Sequence, residues 1–153
     1  MARYESVKSF AARVRGPELD RVDIFIANAG VAAASWKMAE RDESTITVNV
    51  VSTFLLALLV MPKLKETAAR FPSVRPVFSV VSSEMHAYTD FPQRKAPSIF
   101  AALSEKTDKF DWADRYNISK LLEVLFVRAL AERYPADKLP VTVNCVNPGF
   151  CKS

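Results

Sequence analysis

Glycine is scarce in this chain. Gly16, Gly30 and Gly149 are the only three in 153 residues, where ordinary usage of about 7% would supply roughly eleven. An α/β domain places glycines in turns and ligand loops, so the shortage asks which glycine-bearing loop is missing. Cysteine is equally sparse. Cys145 and Cys151 stand near the C-terminus, and His86 is the single histidine. That pattern excludes a disulfide framework and a zinc site, and it fits reduced thiols. Charge of one sign is never massed. The 21 basic and 17 acidic residues are interspersed for a net +4, without the clustered basic strip that nucleic acid requires. The charges read as a solvated surface, with an anionic small ligand compatible. Met1-Ala-Arg-Tyr-Glu-Ser lacks the apolar core of a signal peptide. The longest apolar run, Val50 to Met61, falls short of the ~20 residues that span a bilayer. A buried helix is expected there rather than a membrane span, and the compartment is left at the cytoplasmic default.

What is present is an ordinary globular balance, 50% hydrophobic and 25% charged, on a length that suits one domain. Tyr4, Val7, Phe10, Ala11 and Val14 form a helical stripe, stopped by Arg15-Gly16-Pro17. Val22 to Ala27 reads as a short buried strand ending at Asn28-Ala29-Gly30. A long apolar helix is expected from about Asp42 to Arg70, with Pro62 kinking it or ending its first part. Pro76 to Val81 is a second buried strand running into Ser82 and Ser83. Met85 to Trp112 has no clean period and reads as a long excursion. Asp114 to Tyr134 is a helix stopped by Pro135, and Val141 to Val146 is a third strand ending at Asn147-Pro148-Gly149. Apolar strands alternating with helices imply a doubly wound, Rossmann-like parallel sheet covered on both faces, an α/β fold. Ligands of such sheets bind at the carboxyl ends of the strands. The three post-strand segments are therefore the places to look.

One pair on the last helix carries chemistry. Tyr116 and Lys120, in Tyr-Asn-Ile-Ser-Lys, are four apart and point the same way. A free phenol titrates near ~10 and is a poor acid or base at neutral pH. An ammonium roughly 4 Å away favours the phenolate by up to ~4 kcal/mol at an effective dielectric of 20, about three pH units. Tyr116 then becomes a usable proton donor and acceptor. Taken alone, Tyr-x-x-x-Lys also arises from surface packing.

The order of the other motifs adds to it. Asn28-Ala29-Gly30 after a strand, Asn49 in the long helix, Ser83 after the next strand, Tyr116 and Lys120 on the next helix, and Pro148-Gly149 after the last strand follow one another. This resembles the short-chain dehydrogenase/reductase family over essentially the whole chain. The nearest likeness is its retinol-dehydrogenase-like branch, where a long segment also separates the serine from the tyrosine. The resemblance implies an NAD(P)-dependent oxidoreductase that interconverts an alcohol and a carbonyl by hydride transfer, with NADP(H) slightly favoured. Tyr116 would be the general acid/base. Lys120 would lower its pKa and bond the nicotinamide ribose, and Ser83 would polarise the substrate carbonyl. Asn49 would support a water-linked proton path towards Lys120. Asn28, Ala29 and Gly30 would lie beside the adenosine half of the cofactor. Pro148, Gly149 and Phe150 would follow the nicotinamide, and Ser153 would face its phosphate. No metal is implied.

Simpler roles stand beside these. Asn28-Ala29-Gly30 and Asn-Pro-Gly are turn tripeptides, and Asn49 fits a buried polar residue satisfied by backbone. Ser83 fits a helix cap, with Ser82 its rival, since neighbours on a strand point oppositely. His86 has no Gly-x-Ser-x-Gly elbow or acidic partner to make it a triad base. Tyr88, Phe91, Phe100, Phe110 and Trp112 in the excursion suit a small apolar alcohol or carbonyl substrate, or simply pin a loop.

The family's opening strand and Thr-Gly-x-x-x-Gly-x-Gly turn, which cradles the pyrophosphate, have no counterpart here. The sequence also stops short of the family's last strand. The expectation is one partial catalytic core, residues 1–153, truncated at both ends and binding its cofactor weakly when alone. The alternative is a non-catalytic fragment that associates through its two long helices, by Phe54, Leu55, Leu58 and Leu59 with Leu121, Leu122, Leu125 and Phe126. In the family these helices resemble the ones that form the homodimer.

Overall fold

In the computed structural model, which describes residues 1–149, three strands form a parallel sheet and three long helices pack on one of its faces. The first helix, α1 (Tyr4–Arg15), buries Val7, Ala11 and Val14, one face of the expected stripe; Phe10 stays largely exposed. Strand β1 (Ile24–Ala27) follows. Strands β2 (Met38–Ala39) and β3 (Asp42–Glu43) then make a small antiparallel hairpin. A helical stretch from Ile46 to Arg70 comes next, with its first turns, Ile46–Ser52, wound as π-helix and the remainder, α2 (Thr53–Arg70), as α-helix. Strand β4 (Val77–Val81), helix α3 (Ile99–Ser104), helix α4 (Trp112–Arg133) and strand β5 (Thr142–Val146) complete the order.

The sheet runs β1-β4-β5, parallel throughout. Register places Phe25, Phe78 and Val143 side by side, then Ala27, Val80 and Cys145. All six meet α1, α2 and α4 in the main core, around Val60, Leu64 and Val127. This is the Rossmann-like α/β arrangement, with its helices on one side. The opposite face bears Ile24 and Ile26, 66% and 59% exposed. Among the described residues no core cluster includes that face, so the expected cover on both faces is present on one, and β1 is half-exposed rather than buried.

The long helix starts later than expected because Glu43 defines its entrance. Its carboxylate, fully buried, accepts the backbone N–H groups of Thr45 (3.0 Å) and Ile46 (3.3 Å) and the hydroxyl of Ser44 (2.9 Å). Those are donors that the first helical turn leaves without internal partners. Pro62 neither ends nor divides α2. It and Leu58, four residues before it, lie on the exposed side, where water can meet the carbonyl that a proline leaves without its N–H.

The helix from Ile46 to Arg70 has 25 residues and is long and apolar enough to cross a bilayer. The length argument against a span therefore fails, and burial replaces it. Leu56, Ala57, Val60 and Leu64 are enclosed by the protein itself. The excursion also has more order than its sequence suggests. Two short 3-10 turns, Glu84–Ala87 and Pro92–Lys95, precede α3. Phe91 and Leu103 close a second core with Ile46, Val50 and Ile118.

Candidate active site

The carboxyl ends of β1, β4 and β5 open onto one cleft of about 380 Å³, lined by Asn28, Gly30, Ser82, Ser83, Tyr116, Lys120, Asn147, Pro148 and Gly149 among others. The three segments singled out in the sequence thus converge with the helical pair. A larger apolar groove of about 670 Å³ beside β1 and α1 includes Asn28 and Ala29, but it lacks Tyr116, Lys120 and both serines. The chemistry lies in the smaller cleft. Phe150 and Ser153 lie outside the described residues.

Asn49 sits in the middle of the π-helix, fully buried. Its Oδ1 accepts the Val31 N–H at 2.8 Å and its Nδ2 donates to the Val31 carbonyl at 2.8 Å. The same amide nitrogen donates to Ser119 Oγ at 2.9 Å, and that hydroxyl donates to the Tyr116 carbonyl at 2.7 Å. Asn49 therefore clasps the segment after β1 and ties it to the helical turn that carries Tyr116. A π-turn supplies an off-register inward residue of this kind, and such turns recur at functional sites. Gly30 lies directly over this clasp. A Cβ there would come within 3.3 Å of Asn49 Oδ1 and 3.7 Å of Lys120 Nζ, so a larger residue would press on the clasp. Gly149 takes the left-handed conformation, φ +71°, and its N–H donates to Asn147 Oδ1 at 3.2 Å.

Both serines line the cleft. Ser82 is buried, and its hydroxyl donates to the Lys120 carbonyl at 3.1 Å, which fixes α4 against the end of β4. Ser83 Oγ accepts the Met85 N–H at 3.3 Å and caps the 3-10 turn. Acceptance leaves the Ser83 hydroxyl proton as a donor. The His86 ring Nδ1 lies 2.7 Å from the Ser83 carbonyl.

Lys120 is 5% exposed, and its Nζ lies 5.6 Å from the centroid of the Tyr116 ring. It donates to the Val81 carbonyl at 2.8 Å and to Glu123 Oε1 at 3.1 Å. The ammonium is thus held at the end of β4, under the ring of the half-buried Tyr116. Glu123 is the residue sequence reasoning missed. An acid three positions beyond a lysine reads as an exposed helix pair; the signal was that this helix face also carries Phe126 and Val127, three and four positions on. Burial pushes the Glu123 carboxyl up to about 7, against the opposing pull of Lys120 and Ser82. Burial also raises the Cys145 thiol, and the charge of Glu123 adds to that rise.

The five aromatic residues of the excursion do not line the cleft. Tyr88, Phe100 and Trp112 are exposed, and Phe91 belongs to the second core. Among the described residues no group of three or more His, Cys, Asp or Glu side chains is placed to hold a metal ion.

No protein-family model matches the chain. It is 61% identical over 156 residues to a short chain dehydrogenase/reductase of Cryptosporiopsis sp., an alignment covering 100% of this chain and 48% of that protein. Of solved structures, an uncharacterized protein from Mycobacterium paratuberculosis aligns with a TM-score of 0.73 at 23% identity, over 99% of this chain and 49% of that one. Pseudomonas aeruginosa RhlG, in an active-site complex with NADP, aligns with a TM-score of 0.66 at 20% identity, over 99% of this chain and 51% of that one. The chain spans about half the length of the curated relatives it matches. Sequence and fold together relate it to the short-chain dehydrogenases/reductases.

Proposed function

We propose that this chain is the catalytic half of an NAD(P)-dependent short-chain dehydrogenase/reductase that interconverts an alcohol and a carbonyl. One observation carries the reading: Tyr116, Lys120 and Ser83 meet the segments after β1 and β5 in a single cleft at the carboxyl ends of three parallel strands. The relatives' names and the NADP complex of RhlG support it.

The residues fit the nicotinamide end of such a cofactor. The cleft is within the size range of small-ligand sites, and the segment after β1 approaches Asn49 and Lys120 closely through Gly30. When bound, the cofactor supplies or takes the hydride at the substrate carbon. The chain's own residues handle the oxygen. The Tyr116 hydroxyl gives its proton to the carbonyl oxygen during reduction and takes one from the alcohol during oxidation. Ser83 donates a hydrogen bond to that oxygen and favours the charge that develops on it. Lys120 places a positive charge beside the phenol. Asn49 holds the segment after β1 through Val31 and Ser119, and the second lone pair of its Oδ1 serves a water-linked proton path towards Lys120. Asn28, Ala29 and Gly30 on one side, and Pro148 and Gly149 on the other, line the cofactor's path; Phe150 and Ser153 extend it in the family pattern. NADP(H) stands slightly ahead of NAD(H), and the retinol-dehydrogenase-like branch is the nearest pattern. A small apolar substrate rests on Val31, Ala32 and Pro148 in the cleft wall rather than on the excursion's aromatics.

Tyr116→Phe tests the reading in a preparation that reduces carbonyls. Turnover is expected to disappear with cofactor affinity nearly intact, and unchanged turnover refutes the role of Tyr116. With no glycine-rich phosphate turn in its sequence, residues 1–153 alone are expected to bind NADPH weakly by calorimetry, and tight binding would overturn that.

Association of two copies through α2 and α4 is a second reading. Leu58 and Leu125 are 61% and 40% exposed on these helices, beside a stacked Phe54–Phe126 pair with centroids 3.8 Å apart. Sedimentation equilibrium of wild type and a Leu58→Glu variant distinguishes a dimer lost on substitution from a monomer throughout.

A further inference from the structure

A buried carboxylate with half of its capacity unused needs a reason. Glu123 is 2% exposed, its Oε1 accepts from Lys120, and its Oε2 is buried without a donor, because the nearby Ser82 hydroxyl gives its one proton to the Lys120 carbonyl. Burying a carboxylate costs several kcal/mol even in a good ion pair, and an apolar side chain of similar volume at such a place is often neutral or better for stability. Packing therefore does not account for an acid here. What distinguishes the position is its partner, the ammonium that lines the cleft.

We propose that Glu123 is a positioning residue for Lys120: it draws the ammonium to the end of β4 and, by gaining or losing its own proton, sets how much positive charge Lys120 presents to Tyr116 and to a ligand. This rests on the dehydrogenase reading for its catalytic consequence, but not for the pair itself. The geometry is specific. Lys120 Nζ has three N–H groups. One goes to the Val81 carbonyl and one to Glu123, which leaves a single donor for the cleft. With Glu123 ionised, the pair is neutral and Lys120 is held. With Glu123 protonated, the electrostatic hold weakens and the full charge of Lys120 faces the site.

The groups facing Glu123 come from each element packed on it: Lys120 on its own helix, Ser82 after β4, and Cys145 on β5. Of these only Lys120 brings a positive charge. Burial places the Glu123 transition at about 7, so the exchange between the two states falls near neutral pH.

The test has two arms. In the first, the chain is labelled for carboxyl ¹³C and lysine ¹⁵N detection and titrated by NMR without cofactor. The Glu123 carboxyl is expected to titrate near neutrality, and the Lys120 Nζ resonance to move with the same midpoint. Glu123→Gln should abolish that movement and Glu123→Asp should restore it. An ordinary carboxylate midpoint, or a Lys120 resonance blind to Glu123, overturns the proposal whatever reaction the protein performs. In the second, the pH profile of turnover is compared for wild type, Glu123→Gln and Glu123→Asp, with Tyr116→Phe alongside. An inflection near neutrality that is lost in Gln and kept in Asp supports the proposal. Matching profiles for wild type and Gln, with Tyr116→Phe inactive, sink Glu123 alone. Full turnover by Tyr116→Phe sinks the dehydrogenase mechanism instead.

Discussion

Replacing Glu123 with Gln should change how the stability of the protein depends on pH, in a direction that the buried pair dictates. The Glu123 carboxyl rises from 4.5 to about 7 on folding, chiefly because burial disfavours its charge. Between those values the folded state keeps a proton that the unfolded state releases. The contribution of this group to stability is therefore complete below pH 4.5 and declines as pH rises. It is lost once pH passes about 7, where the folded carboxyl also ionises. Each unit of difference is worth ~1.4 kcal/mol, so the decline is on the order of 3 kcal/mol. Gln does not titrate, so the variant lacks this slope. Urea denaturation at a series of pH values reads the difference directly. Wild type should lose about 3 kcal/mol relative to the variant between roughly pH 4.5 and 8. Parallel curves would refute the reasoning. A wild type that gains on the variant with rising pH would show that attraction to Lys120 outweighs burial.

Three other substitutions probe the frame of the cleft. Asn49→Ala strands the Val31 N–H and carbonyl and removes the donor to Ser119 Oγ, at a cost of about 2–4 kcal/mol, measurable as a lowered urea midpoint with an unchanged slope. Gly30→Ala presses a methyl against Asn49 Oδ1; a loss of about 1–3 kcal/mol is expected, and a Val31 amide that exchanges faster with solvent would mark the opened clasp. Phe78→Ala empties the centre of the main core, where Phe78 stacks on Phe25 with centroids 5.4 Å apart. A loss of about 3–5 kcal/mol is expected in thermal melts.

The strands and their order were legible because each is a short apolar run closed by small polar residues. That same punctuation marks where a parallel sheet binds ligands, so Asn28–Gly30, Ser82–Ser83 and Asn147–Gly149 could be assigned to one edge together. The spacing of Tyr116 and Lys120 put them on one helix face, and the order of the other motifs along the chain singled the pair out. Other features were hidden for physical reasons. A two-residue strand such as β2 has no periodicity to read, and a π-turn has no residue signature that separates it from an α-turn. Glu43 looks like part of the long helix until its carboxylate is seen to fill the entrance. Pro62 signals a break, yet tertiary packing carries the helix through it because the freed carbonyl faces outward. Glu123 was the largest gap. An acid beside a lysine on a helix is ordinarily a solvated pair, and only the packing of α4 on β4 and β5 makes it a buried one. The direction of Lys120, towards Val81 and Glu123, followed from that packing as well.

The outer edge of β1 is where this sheet can grow. Among the described residues β1 pairs on one side only, and Ile24 and Ile26 stand exposed on the sheet face beside it. An edge of that kind is a template for another strand, and the apolar face is what a further layer would cover. A lysine at position 26 would put a charge on that face and oppose such a cover, outside the cleft that Tyr116 and Lys120 line.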